Sequence, residues 1–107
     1  MTNKEFIYDY HTHEAILHKC MFDEEDKALT FVIHYCEWQL EEMENNSVGY
    51  VLTLKNVKDI SSFEILNCCD EFILDVKLNK TKGMIYLDNN VFIKFSYKDF
   101  EVVDLFE

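Results

Sequence analysis

Residues 28–36, ALTFVIHYC, alternate with a period of two. Leu29, Phe31, Ile33 and Tyr35 fall on one side, and Thr30, Val32, His34 and Cys36 on the other. Successive side chains of an extended chain point to opposite faces, so this pattern predicts a strand with one buried and one wet face. The same period recurs at 48–57, where Tyr50, Leu52 and Leu54 oppose Val51, Thr53, Lys55 and Val57. It recurs at 72–78, where Phe72, Leu74, Val76 and Leu78 oppose Ile73, Asp75 and Lys77. AILHKCMF (15–22) alternates more loosely, and the acidic DEEDK (23–27) reads as the turn that closes it against 28–36 as an antiparallel hairpin. MIYLD and VFIKFSY flank Asn89-Asn90, residues that tolerate the left-handed backbone of a two-residue hairpin turn, and FEVVDLF (100–106) closes the chain.

Only two places depart from this period. Trp38, Leu40 and Met43 in EWQLEEMENN (37–46) fit either a short helical turn or a strand end, and Asn45-Asn46-Ser47 breaks the segment. In residues 58–71, Ser61 or Ser62 is placed to cap a turn of helix at 61–69 with Glu64 in its first turn. The expected fold is mostly β: an antiparallel sheet of six to eight short strands, rolled or folded into a sandwich, with at most one or two helical turns. At 107 residues the chain is one domain, 1–107, with a single core. Nine Phe, six Tyr and one Trp supply that core, each large apolar side chain contributing roughly 1.5–3 kcal/mol when fully buried. No cofactor or metal is needed to hold such a fold together.

Charge limits the partners. Twenty-one Asp and Glu face ten Lys and no Arg, a net charge of −11. Such a chain is repelled by DNA, RNA and anionic lipid, and it lacks the side chain best suited to bidentate phosphate contacts. Neither nucleic acid nor membrane is an expected partner; a basic protein surface is. No run of about 18 apolar residues occurs, and the start MTNKEFIYDYH has no signal-peptide core, so a cytoplasmic location is expected. Cys20, Cys36, Cys68 and Cys69 form no CxxC and are expected as reduced thiols.

Three constellations are candidates for chemistry. His11 and His13, two apart in YHTHEA, would point to one face of a strand, and Glu14 or His34 would be needed to complete a metal site there. No further ligand spacing supports one, and structural or solvent-facing histidines are the favoured account, with His18 and His34 as cross-strand neighbours. Nucleophilic catalysis has no GxSxG and only two glycines, and Cys36 beside His34 lacks a third orienting group. No catalytic residue is assigned, and the chain is not expected to be an enzyme. The acidic runs remain. Asp23, Glu24, Glu25 and Asp26 form one, and Glu37, Glu41, Glu42 and Glu44 surround Trp38 in the other. A large apolar side chain ringed by carboxylates suits a basic partner if Trp38 is exposed; if it is core, the ring is only a solvated face.

The order of segments resembles the small bacterial immunity proteins of polymorphic toxin systems. In YHTHEAILHKCMFDEEDKALTFVI, His13-Glu14-Ala15-Ile16 is similar to that class's His, acidic, then aliphatic opening of a first strand. LTLKNVKDI (52–60) resembles its following strand and bend, and VFIKFSYKDFEVVDLF (91–106) its closing strand pair. Glu14 stands where Asp is usual, and Leu54-Lys55-Asn56 lacks the usual Phe. The resemblance implies a cytosolic protein that binds and blocks a toxin, and it makes His13 and Glu14 a strand-start corner whose polar groups serve local backbone. With the net charge, the resemblance implies a non-enzymatic, acidic inhibitor of a basic toxin, such as a nuclease, acting by occlusion. The alternatives are a metal-binding domain or enzyme using His11, His13 and His34, and a homo-oligomeric structural or regulatory module. Monomer and homodimer are both compatible with the sequence.

Overall fold

A computed structural model describes residues 2, 6, 14–43, 46–61, 71–88 and 91–106. They form seven strands and one short helix: β1 (Ile16–Asp23), β2 (Ala28–His34), α1 (Glu37–Glu42), β3 (Gly49–Lys55), β4 (Glu71–Leu78), β5 (Lys82–Leu87), β6 (Val91–Ser96) and β7 (Asp99–Leu105). All pairings are antiparallel, in one sheet of order β6-β5-β4-β1-β2-β3-β7. The mostly β, antiparallel expectation holds, and 37–42 takes the helical option.

The sheet is rolled, and the connectivity shows why. β6 and β7 stand at opposite ends of the strand order, yet only Tyr97 and Lys98 lie between them in the chain. Two residues span at most about 7 Å, so the two ends must curl toward each other. The seam is partly stitched by backbone: Lys58 and Ser96 exchange both hydrogen bonds at 2.9 and 2.8 Å, and Lys98 N–H donates to the Lys55 carbonyl at 3.0 Å. Ser61 is tied to this seam too. Its N–H donates to the Lys94 carbonyl, and its hydroxyl accepts from Lys94 N–H. The expected cap role of Ser62 and Glu64, and the Asn89-Asn90 turn, lie outside the described residues.

Rolling puts the inner faces of distant strands in contact. Phe31 of β2 meets Phe95 of β6 with ring centroids 6.0 Å apart, although three strands separate β2 and β6 in the sheet. Phe6 packs edge-on against Tyr50 and Phe100. The alternation in 28–36 holds as read: Leu29, Phe31, Ile33 and Tyr35 are buried, and their alternates are half-buried. In β3, Tyr50, Leu52 and Leu54 are likewise buried.

The period fails at two points, each with a local cause. Val57, which the pattern places outside with Lys55, is buried, because Asn56 has φ 55° and turns the chain inward after β3. In β4, Phe72 and Leu74 are exposed while Ile73, Val76 and Leu78 are buried. Ile73 pairs with Leu87 and Asp75 with Tyr86, so Leu74 is an extra residue in a β-bulge that shifts the phase of the strand. Residues 72–78 therefore do not form one uniform face.

Gly49 sits where β2 and β3 pair at His34. A Cβ there would lie 2.1 Å from the Ile33 carbonyl oxygen, a backbone atom of a central strand that cannot step aside. Gly49→Ala should lower unfolding free energy by about 2–3 kcal/mol in urea denaturation, the upper range for overpacking. A change below about 0.5 kcal/mol would mean that β2 and β3 tolerate local separation.

Candidate functional site

The phase shift in β4 builds a groove. Phe72 and Leu74, turned outward on either side of Ile73, make an apolar floor at the start of β4. α1 forms one wall. The helix is set by Gln39, fully buried, whose side-chain oxygen accepts from the Cys36 N–H at 2.9 Å and so satisfies a donor at the helix start. With Gln39 facing in, Trp38 and Leu40 face out, each 42% exposed. Glu37 and Glu41, one helical turn apart, share the side that lines the groove.

The opposite wall begins at Glu14. Its N–H donates to the Ile73 carbonyl at 2.8 Å, and Ile73 N–H donates to the Ala15 carbonyl at 2.8 Å, extending the short β1–β4 pairing. Glu14 has φ 68°, and its carboxylate accepts from the Trp38 indole N–H at 2.8 Å. That bond links the corner before β1 to the helix after β2 and fixes the indole on the groove wall. Asp88, one residue past β5, adds a fourth carboxylate beside Glu14, Glu37 and Glu41. The groove is open, with a volume of about 570 Å³. Four carboxylates around an apolar floor favour a cationic group that carries hydrocarbon, as a lysine or arginine side chain does.

The sequence-derived candidates divide. Trp38, Glu37 and Glu41 come together as expected, and Trp38 is exposed. Glu42 is exposed on the same helix, one turn past Trp38, without lining the groove; Glu44 lies outside the described residues. Asp23, Glu24, Glu25 and Asp26 are not part of the site. They form the β1–β2 turn, about 20 Å along the hairpin from the end where α1 begins. There the Asp23 carboxylate accepts from the backbone N–H groups of Glu25 and Asp26, a turn-forming role. Phe72, Leu74 and Asp88 were missed, since only the bulge and the end of β5 bring them to α1.

His34 stacks on His18, with ring centroids 4.5 Å apart and planes 17° from parallel, the expected cross-strand neighbours. His11 and His13 lie outside the described residues, as do Cys68 and Cys69. Cys20 and Cys36 are free thiols, the first buried. Among the described residues no three His, Cys, Asp or Glu side chains group as metal ligands, and no helix is long and apolar enough to cross a membrane. Glu14 departs from the role the resemblance implies: its carboxylate reaches the Trp38 indole, 24 residues away, rather than only local backbone.

No protein-family model and no curated protein matches the chain. It is similar to an uncharacterized protein from Neisseria gonorrhoeae of known crystal structure, at 12% identity and a TM-score of 0.47, over 84% of this chain and 90% of that one.

The left-handed backbone at Glu14 gives a direct check on this corner. A non-glycine residue there costs roughly 1 kcal/mol relative to glycine, so Glu14→Gly should be more stable than Glu14→Ala by about that amount in urea denaturation. Equal stabilities would show that the corner relaxes out of this conformation.

Proposed function

We propose that this is a non-enzymatic binding protein that takes a basic segment of a partner protein into the Trp38 groove, acting as an immunity-type inhibitor that occludes a basic toxin surface. The observation that carries this reading is the groove itself: an apolar floor of Phe72 and Leu74, an indole held by Glu14, and a rim of Glu37, Glu41 and Asp88. An aliphatic stem on that floor with its cation among the carboxylates combines apolar burial with charge pairing. The net charge of −11 acts at longer range, steering a basic partner toward the surface.

The two acidic regions then have different kinetic roles. Asp23, Glu24, Glu25 and Asp26, remote from the groove, contribute to encounter; Trp38 and the carboxylates beside it contribute to residence. Location in the cytoplasm, where a self-protecting inhibitor meets its toxin, belongs to the same reading.

Trp38 is the chain's one tryptophan, so its fluorescence reports the groove directly. Titration with the product of the adjacent gene should shift Trp38 emission to shorter wavelength. Raising salt from ~10 mM to ~0.5 M should weaken affinity, because the screening length falls below about 10 Å. Trp38→Ala should weaken binding about 30-fold, mainly through faster dissociation. Reversing Glu24, Glu25 and Asp26 to Lys, which spares the Asp23 carboxylate that holds the turn, should slow association several-fold and leave dissociation nearly unchanged. Binding that is independent of salt and of Trp38 would refute the groove as the docking site.

A further inference from the structure

The groove occupies only one end of a larger outer face, the solvent side of β4, β5 and β6. The outward residues of β5 read Lys82, Met84, Tyr86 and then, just past the strand, Asp88: cation, two apolar residues, anion. The register places Lys77, Met84 and Lys94 in one cross-strand row, Asp75, Tyr86 and Phe92 in the next, and Lys82 beside Ser96. A second groove of about 470 Å³ opens at this far end, lined by Lys77, Lys82 and Lys94 with one carboxylate, Asp59, among them, so the end is cationic on balance. Three of the ten lysines thus gather at one end of a face whose other end carries Glu14, Glu37, Glu41 and Asp88. Phe72 and Leu74, 51% and 45% exposed, floor the carboxylate end, and between the two ends lie Met84, Tyr86 and Phe92, the last 37% exposed, with Asp75 the one carboxylate there among the described residues. Lys77 and Lys94 already rest over the rings of Tyr86 and Phe92, at 5.5 and 5.1 Å from the centroids.

We infer that this face is the contact surface of a two-fold homodimer, in which the carboxylate end of each copy lies on the lysine end of the other. A two-fold axis parallel to the sheet and perpendicular to the strands sets each strand over its own copy running the opposite way. Because the charge pattern reverses along the strands, that operation turns it into its own complement. Asp88 of one copy comes over Lys82 of the other, Phe92 near Lys94, and Met84 against Tyr86. A parallel arrangement would oppose like charges at both ends. The inference goes beyond the binding reading and holds whether or not a basic partner exists.

Size sets the strength. Three strands at about 4.8 Å spacing and six residues at about 3.3 Å rise give a patch of roughly 15 by 20 Å, before the α1 wall is added. Stable specific interfaces bury about 800 Å² per partner, so this dimer is weak and reversible, with Kd on the order of 0.1 mM.

Sedimentation of the full chain from ~10 µM to ~1 mM, spanning that Kd on both sides, should show reversible dimerisation. Two variants, Lys77→Glu/Lys82→Glu/Lys94→Glu and Glu37→Lys/Glu41→Lys/Asp88→Lys, should each be monomeric over the same range. Their equimolar mixture should form a heterodimer, because each end then meets its opposite. Circular dichroism confirms that each variant is folded, and the single substitutions Lys94→Glu and Asp88→Lys give weaker versions of the same test. A wild-type chain that stays monomeric at ~1 mM would overturn the inference. So would a dimer that survives both triple substitutions, which would then use another surface, such as the Val32–Val51–Val103 row on the other half of the sheet.

Discussion

The two-residue link between β6 and β7 governs the rest of the molecule. Strands at opposite ends of a seven-stranded sheet cannot be joined by Tyr97 and Lys98 alone unless the sheet rolls. Once it rolls, a single set of inward side chains is shared by strands that never pair, as with Phe31 and Phe95. The reciprocal hydrogen bonds of Lys58 and Ser96, and the hydroxyl of Tyr97 donating to the Asn79 carbonyl, hold the seam region against opening. Rolling also serves the composition: Phe6, Phe31, Tyr50, Phe95 and Tyr97, of a chain with 15% aromatic residues, are buried within the one curved sheet.

The groove arises where that regular sheet is interrupted. The bulge at Leu74 lets β4 place Ile73 in the core and still turn Phe72 and Leu74 outward, then restores burial at Val76 and Leu78. A strand of unbroken alternation would have to choose between the core and the groove. The same region is where β1 and β4 meet through only a short pairing, so α1 and the Glu14 corner approach the floor from two sides. The hydrogen bond from Trp38 to Glu14 ties those two sides together across 24 residues of sequence.

Much of the fold was legible because it rests on local periodicity. Leu29, Phe31 and Ile33, or Tyr50, Leu52 and Leu54, declare their buried face without knowledge of any partner strand. What the residues could not declare is long range. Nothing in FEVVDLF says that it pairs with β3 instead of its chain neighbour β6, and nothing in FILDVKL marks Leu74 as the extra residue. Val57 was misplaced because one left-handed residue, Asn56, cancels a period. The groove follows the same rule. Trp38, Glu37 and Glu41 are legible as a group because they are neighbours in sequence, whereas Phe72, Leu74 and Asp88 reach them only through topology. Asp23 to Asp26 read as a run of surface charge, and the structure adds that the Asp23 carboxylate makes the turn, at the end of the hairpin away from the groove.

Whether the groove receives a basic chain is best read residue by residue. Backbone amide chemical shifts of the labelled protein, followed while a lysine-rich peptide is added at low salt, show where a basic chain rests. Perturbations are expected to concentrate at Glu37, Trp38, Glu41, Phe72, Leu74 and Asp88, and to fade as salt is raised. Perturbations centred on the Asp23–Asp26 turn, or spread evenly over every carboxylate, would contradict this, leaving only a diffuse negative field where a shaped site is claimed.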